Sequence, residues 1–355
     1  MGKFQKYVIV AFSVFMIAYS LRFFVFNNSD DEGRVRHEDT TVTEETATDE
    51  VVSDSEEKLP TEEVIVSLDN ELADFTYIVE DALYHYESLD GENYQDIYKV
   101  YIDDNTFVTI SNLDGNRFTN KFYYDESEFR MISQEPFERL NIDDFQVNES
   151  AEYQTLLFRK PLTKGDTWVT NGVDFWVSSL DYKGFTISNN LSDLHFELDR
   201  GLTIYDLKDY GVKLELQGVS DDVLLDVPIR IDLINEQNLA SEDVNINIGI
   251  ETNQDLVVMF NGIYENPTVS GYASPMPTGT KILSIELNEL ENYVHIDVSK
   301  AFQNGNWGSS VESEVLKAIS DTFCDFYNVD KVMLTVEGES YQSGHVVLED
   351  NFINR

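Results

Sequence analysis

Residues 276–284 read Met-Pro-Thr-Gly-Thr-Lys-Ile-Leu-Ser, and residues 294–302 read Val-His-Ile-Asp-Val-Ser-Lys-Ala-Phe. Apolar residues alternate with polar ones along Lys281–Leu287 and again along Val294–Val298, which is the period-two pattern of half-buried strands. The polar segment Asn288–Asn292 predicts a turn between them. The two stretches therefore predict a β-hairpin, and the rest of the C-terminal region is interpreted around it.

The segments on either side of this hairpin predict further strands and two helices. Val227–Ile234, Val244–Ile250 and Lys331–Val336 are predicted as strands. Apolar side chains at helical spacing predict one helix from Thr252 and another from Ser309. The order β-β-α-β-β-α-β predicts an α+β domain over residues 223–355, with its helices on one side of a sheet.

Both helices begin with residues that are typical of a reciprocal N-terminal cap. Asp255 follows Thr252 by three residues, and Glu312 follows Ser309 by three. In such a cap the first side chain accepts from the backbone of the third helical residue, whose own side chain accepts in return. The spacing predicts that Thr252 and Ser309 cap the two helices.

Four motifs of this region resemble the GerMN domain in order and spacing: Met276–Ser284, Val294–Phe302, Glu314–Phe326 and Val329–Gly338. The resemblance covers about residues 225–350. It implies a small domain of the ring-building-motif type, which occurs in envelope and spore-assembly proteins of Gram-positive bacteria and is regarded as a non-catalytic interaction or wall-associated module. The best-known member looks like a lipoprotein with two such domains, whereas this chain has one, preceded by a different domain.

The matching motifs supply the candidate ligand-binding residues of this chain, which are Thr278, Gly279, Thr280, Lys281, Asp297 and Ser299. Each also has a purely structural interpretation. Glycine provides the backbone freedom of a turn, and aspartate or serine at a strand end can bond nearby backbone. A lysine on an acidic surface can form a local ion pair. Cys324 lies on the apolar side of its helix, so it is interpreted as a buried apolar residue and not as a nucleophile.

Residues 67–222 are predicted to form a β-rich antiparallel domain, either a sheet or a barrel. One helix is predicted over Leu72–Tyr86, and short alternating runs separated by turn signals follow it. Residues Arg159–Trp168 resemble a segment of β-rich domains in Gram-positive surface lipoproteins.

The first 66 residues differ from the rest of the chain. Residues 1–27 are predicted to be a transmembrane signal-anchor, because basic residues precede the apolar run 7–26, which is long enough to cross a bilayer. A cleaved signal peptide is the alternative. Residues 28–66 carry 14 acidic and three basic residues and few large apolar ones, which predicts a disordered acidic linker.

Composition excludes several classes of function. The formal net charge of the chain is −43, of which −35 remains on residues 67–355 after the +3 of residues 1–27 and the −11 of residues 28–66 are removed. Such a surface repels phosphates, so no nucleic-acid partner is expected. One cysteine and five scattered histidines offer no metal-ligand spacing, and no cofactor, metal or catalytic residue is predicted.

These observations predict a non-catalytic protein of the cell membrane with a single span and its bulk outside the cytoplasm. Its predicted partners are the membrane, through residues 7–26, and either peptidoglycan or another envelope protein. The alternative is a cell-wall glycan hydrolase or its regulatory subunit, which would need two carboxylates about 5–9.5 Å apart. With 67 acidic residues, such pairs occur by chance and identify nothing.

Overall fold

The computed structural model describes residues 72–113, 115–148, 154–267 and 269–354. The predicted anchor (residues 1–27) and the predicted linker (residues 28–66) lie outside the described residues. Among the helices that are described, none combines the length and the apolar character needed to cross a bilayer.

Twelve antiparallel strands form one sheet in the first half of the described chain. They are β1 (Leu83–Ser88), β2 (Tyr94–Ile102), β3 (Thr106–Leu113), β4 (Asn116–Tyr124), β5 (Glu128–Pro136), β6 (Thr155–Arg159), β7 (Thr167–Thr170), β8 (Val173–Leu180), β9 (Gly184–Ser188), β10 (Ser192–Glu197), β11 (Gly201–Leu207) and β12 (Val212–Ser220).

The sheet closes into a barrel. Its spatial order runs from β6 back to β1, then to β12 and down to β7, so that β6 and β7 are its two edges. Side chains join these edges: the Trp168 indole donates to the Leu156 carbonyl at 3.1 Å, and the Leu156 N–H donates to the Thr170 hydroxyl at 3.2 Å. Of the two architectures left open for the β-rich region, the barrel is the one observed.

The predicted helix over Leu72–Tyr86 is wrong. Only Leu72–Phe75 is helical, as a single 3-10 turn, and Leu83 already begins β1. Tyr84 and Tyr86 are buried at a spacing of two residues, because β1 pairs with β2 on one side and β12 on the other. Leucine and aromatic residues fit both periods locally, and strand pairing decides between them.

The described residues of the C-terminal half form eight strands and two α-helices. They are β13 (Leu225–Asn235), β14 (Ser241–Ile250), α1 (Leu256–Glu265), β15 (Tyr272–Ala273), β16 (Ile282–Asn288), β17 (Tyr293–Val298), α2 (Ser309–Tyr327), β18 (Lys331–Val336), β19 (Glu339–Ser340) and β20 (Phe352–Asn354).

These strands form two sheets, and the expectation of one sheet with helices on one side is corrected accordingly. One sheet has the order β14-β13-β15, and the other has the order β16-β17-β18-β19, with β20 also paired to β18. Helix α2 contacts strands of both sheets. The seven consecutive residues 318–324 of α2 are buried, which packing against a single side of a helix does not produce.

The two predicted capping boxes are also wrong. Asp255 is the N-cap of α1, where its carboxylate accepts from two backbone N–H groups. The Thr252 hydroxyl instead donates to the Lys99 carbonyl at 2.7 Å and accepts from the Asp81 N–H at 2.8 Å. Gly308 is the N-cap of α2 and gives no side-chain bond. Thr252 therefore makes tertiary contacts and does not cap α1. Ser309 is the first residue of α2 and not its cap.

The barrel and the C-terminal half share one apolar core. Outer faces of β2 and β3 contribute Tyr98, Val100, Val108 and Ile110 to the cluster that contains β13 and α2. Backbone bonds cross the same boundary, as where the Leu140 N–H donates to the Pro228 carbonyl at 2.8 Å. The predicted boundary at residues 222 and 223 falls between β12 and β13, and it stays a prediction.

Candidate functional site

The predicted site residues lie at the start of β16 and along β17. Thr278, Gly279 and Thr280 form the loop before β16, and Lys281 is its last residue. Antiparallel pairing places Ile282 opposite Val298. The hairpin therefore brings Lys281 beside Ser299, and the parallel pairing of β17 with β18 places Asp297 opposite Thr335.

Lys281 and Ser299 are joined by two hydrogen bonds. The Lys281 N–H donates to the Ser299 hydroxyl at 2.9 Å, and the Ser299 N–H donates to the Lys281 carbonyl at 2.7 Å. The Lys281 ammonium lies 2.9 Å from the Glu265 carboxylate in an exposed ion pair, and pairs of this kind contribute little to stability. The two bonds between Lys281 and Ser299 thus extend the pairing of β16 with β17 by one residue pair.

A turn precedes this corner. The Thr280 N–H donates to the Pro277 carbonyl at 2.9 Å, and Gly279 adopts a φ of +84°. A side chain at that φ would be strained, so glycine is required here for its backbone. Thr278 is exposed and Thr280 is half-buried. The turn residues therefore shape the backbone that leads into β16.

Asp297 binds two groups of the neighbouring strand end. Its Oδ1 accepts from the Thr335 hydroxyl at 2.6 Å and from the Gly338 N–H at 2.8 Å. Gly338 follows β18 in a turn with a φ of +80°. The carboxylate therefore fixes the turn that ends β18, and this role matches the structural interpretation of an aspartate at a strand end.

A row of three polar side chains runs through this position, and sequence reasoning missed it. His295 Nε2 lies 2.9 Å from the Thr335 hydroxyl, which in turn donates to Asp297. Because a hydroxyl has one proton, the Nε2 atom of His295 is the donor to Thr335. A catalytic triad needs the reverse order, in which the hydroxyl donates to the histidine and the histidine to the acid.

A family model described as Germane, sporulation and spore germination, matches residues 232–342. That range contains all six predicted residues together with His295 and Thr335. Residues 232–342 form a GerMN-type domain. A comparison with curated proteins finds no match.

Solved structures similar to this chain include GerMN domains from Bacillus subtilis. The first GerMN domain of the sporulation protein GerM shares 17% identity, with 36% of this chain and 98% of that chain covered at a TM-score of 0.28. The tandem GerMN domains share 19% identity, covering 39% and 49% at a TM-score of 0.27. A putative lipoprotein from Clostridium perfringens shares 15% identity, covering 37% and 88% at a TM-score of 0.25.

Buried acids of the GerMN-type domain lie where β13 meets α2. Asp232 is 3% exposed, and its backbone N–H donates to the Thr322 hydroxyl at 2.7 Å. Burial, with the nearby Asp321 carboxylate, raises the pKa of Asp232 to about 6. Lys317 lies 2.8 Å from Asp321. These charges are held between a strand and a helix, and the Asp232 carboxyl is enclosed by the core.

Another buried carboxylate was assigned to the wrong role by sequence reasoning. Glu312 is 2% exposed, and its Oε1 accepts from the Tyr341 hydroxyl at 2.5 Å. This bond ties the first turn of α2 to the segment after β19, and burial raises the pKa of Tyr341. Cys324 is buried, as predicted. Among the described residues, no group of three or more His, Cys, Asp or Glu side chains is arranged to hold a metal ion.

Proposed function

We propose that this chain is a membrane-tethered extracytoplasmic envelope protein of the sporulation or germination type, and that its GerMN-type domain binds another envelope protein without catalysing a reaction. The Germane match over residues 232–342 supports the assignment to sporulation or germination. The apolar run 7–26 and the acidic segment 28–66 support a tether that holds the folded part away from the membrane.

The non-catalytic role rests on how the polar motif residues are used. Asp297 binds Thr335 and Gly338, and Ser299 binds Lys281. The hydroxyl of Thr335 points its proton at a carboxylate, so it is not activated by His295 as a nucleophile. These groups stabilise two strand ends of the domain. This is the observation that carries the proposal of a recognition domain.

The edge strand β16 is the proposed contact surface. Asn261 of α1 covers its first residue, because the Asn261 side chain bonds both the N–H and the carbonyl of Ile282. From Leu283 to Asn288, the described part of the chain provides a strand on the β17 side only. Such an edge can accept a strand from a partner. Leu283 is 49% exposed and Leu290, in the adjoining turn, is 99% exposed, which adds apolar contacts.

Charge favours a basic protein segment as the partner. Residues 67–355 carry a net charge of −35, and complementary charge speeds association and selects the partner. Anionic wall polymers would be repelled by the same surface. Another envelope protein is therefore the proposed partner. Binding to peptidoglycan is the alternative that the test can reveal.

The test uses the full chain in its own membranes, with a photoreactive residue placed at Leu283. Val169 on β7 of the barrel is 66% exposed and serves as the matched control position. We expect a cross-linked product of defined mass from position 283 and none from position 169. In parallel, the chain is mixed with purified peptidoglycan at low and high salt. Retention that survives high salt, with no specific product from position 283, would overturn the protein-partner proposal in favour of a wall module.

A further inference from the structure

The barrel encloses a cavity of about 190 Å³. Side chains from both halves of the barrel line it, including Phe107, Asn120 and Phe129 on one half and Leu194, Phe196 and Tyr205 on the other. Arg200, in the turn between β10 and β11, also contributes to the wall, and its side chain is 54% exposed. The cavity therefore extends from the barrel interior toward the surface at that turn.

One part of the wall is aromatic. The rings of Phe107 and Phe122 stack with centroids 4.7 Å apart, and Phe122 stacks on Phe129 at 5.6 Å. Phe196 reaches the same cluster from β10, with its ring centroid 6.4 Å from that of Phe129. This region offers an apolar surface to a ring or a short hydrocarbon chain.

A polar row lies beside the aromatic one. Lys99, Thr109, Asn120 and Gln134 are successive partners across β2, β3, β4 and β5. Asn120 donates to Thr109 at 3.2 Å and accepts from Gln134 at 2.7 Å. All four line the cavity. Because Thr109 lies two residues after Phe107, both side chains point to the same interior face. The cavity thus has an apolar part and a polar part.

Lys99 places a cation at the end of the polar row. It is 5% exposed, its ammonium donates to the Tyr77 carbonyl, and the nitrogen lies 4.0 Å from the centre of the Tyr84 ring. None of the ion pairs among the described residues includes Lys99. Burial lowers its pKa to about 7. A buried ammonium with no carboxylate partner is costly, and an anion in the cavity would offset that cost.

We propose that the barrel interior binds a small monoanionic amphiphile, with its apolar part against the phenylalanines and its carboxylate against the Lys99 ammonium. Arg200 in the cavity wall is already paired with Glu197, so the one positive charge that a ligand would balance is that of Lys99. The size of the cavity sets the scale of the ligand, because an apolar cavity of about 150 Å³ accommodates benzene. A ring with a short carboxylate-bearing chain therefore suits this cavity.

The test compares three probes of nearly equal size on the full chain by titration calorimetry. They are 3-phenylpropionate, 3-phenylpropanol and 3-phenylpropylamine, which share the ring and differ in the charge of the head group. We expect the carboxylate to bind at least about tenfold more tightly than the alcohol, and the amine to bind most weakly, as a charge-assisted bond to Lys99 requires. Equal affinities, or no binding of the carboxylate, would overturn the proposal and leave a water-filled or unselective cavity.

Two variants test whether Lys99 is the group that binds the carboxylate. Lys99→Met keeps the length of the side chain and removes the charge, and we expect it to lose about tenfold in affinity for 3-phenylpropionate while its affinity for the alcohol is kept. Lys213→Met, on the outer face of β12 with a side chain 43% exposed, is the matched control and should bind like the unaltered chain. Equal losses in both variants would contradict the assignment. The probe series on the unaltered chain decides the question if Lys99→Met does not fold.

Discussion

The hydroxyl of Thr335 donates to the carboxylate of Asp297 at 2.6 Å, across the parallel pair β17 and β18. The two residues are direct partners in the register of these strands. Thr335 is buried, so its hydroxyl depends on Asp297 as an acceptor. This bond joins the motif Val294–Phe302 to strand β18, so Asp297 has a structural role in the GerMN-type domain.

Replacing Asp297 should therefore destabilise the domain. Asp297→Ala removes the acceptor of both the Thr335 hydroxyl and the Gly338 N–H, and we expect a loss of about 1–3 kcal/mol in the free energy of unfolding. Urea denaturation followed by circular dichroism measures it. Glu289→Ala, an exposed carboxylate in the turn of the same hairpin, should change stability by less than about 0.5 kcal/mol. Equal effects of the two substitutions would contradict this account of Asp297.

Tyr341→Phe tests the buried bond to Glu312. The variant keeps the ring, whose centre lies 5.3 Å from that of Phe302, and leaves the Glu312 carboxylate buried without its donor. We expect a loss of about 1–3 kcal/mol in unfolding free energy. Glu312→Gln combined with Tyr341→Phe should recover part of this loss, because the charge is no longer buried. An unchanged midpoint for Tyr341→Phe would show that the bond does not stabilise the fold.

The pH dependence of stability should reveal Asp232. Its pKa is raised to about 6 in the folded chain, so the folded state binds the proton more tightly than the unfolded state does. Its contribution is present below about pH 4 and is lost as the pH rises through 6. We expect the difference in unfolding free energy between the unaltered chain and Asp232→Asn to change by about 1–3 kcal/mol between pH 4 and pH 7. A difference that stays constant between pH 4 and pH 7 would contradict the raised pKa of Asp232.

Lys99, unlike Asp232, should make the free energy of unfolding rise with pH, and it should do so at higher pH. Its pKa falls to about 7 on folding, so between pH 7 and about 10 the unfolded state binds more protons and stability rises with pH. Lys99→Met removes this contribution, and its stability should gain less over the same range. The comparison stops near pH 10, because burial raises the pKa of several tyrosines, Tyr84 and Tyr86 among them. Equal gains in stability with pH for the unaltered chain and for Lys99→Met would contradict the burial of the Lys99 amine.

Barrel strands that have one buried and one exposed face could be predicted from their sequence. Period-two alternation identifies β11 (Gly201–Leu207) without knowledge of its partners, whereas β3 (Thr106–Leu113) is buried on both faces and does not alternate. Strands of two or three residues, such as β15 and β19, are too short to show a period. The assignment of Tyr84 and Tyr86 to a helix was wrong because local spacing did not include the pairing of β1 with β12.

The candidate site could be predicted only in part. Motif matching located Asp297 and Ser299, whereas the His295–Thr335 contact depends on the parallel register of β17 and β18, which a sequence does not reveal. The capping boxes at Thr252 and Ser309 failed for a related reason. Thr252 bonds Lys99 and Asp81 across the predicted domain boundary, and Glu312 bonds Tyr341. Tertiary contacts decided the roles of side chains that local rules assigned to helix ends.

The most direct test of the non-catalytic proposal is the release of soluble sugar ends from purified peptidoglycan by the full chain. A glycan hydrolase would release them at a rate that depends on two carboxylates. We predict no release above that of buffer alone, for the unaltered chain and for Asp297→Asn and Asp232→Asn alike. Release by the unaltered chain that either substitution abolishes would contradict the proposal of a recognition domain.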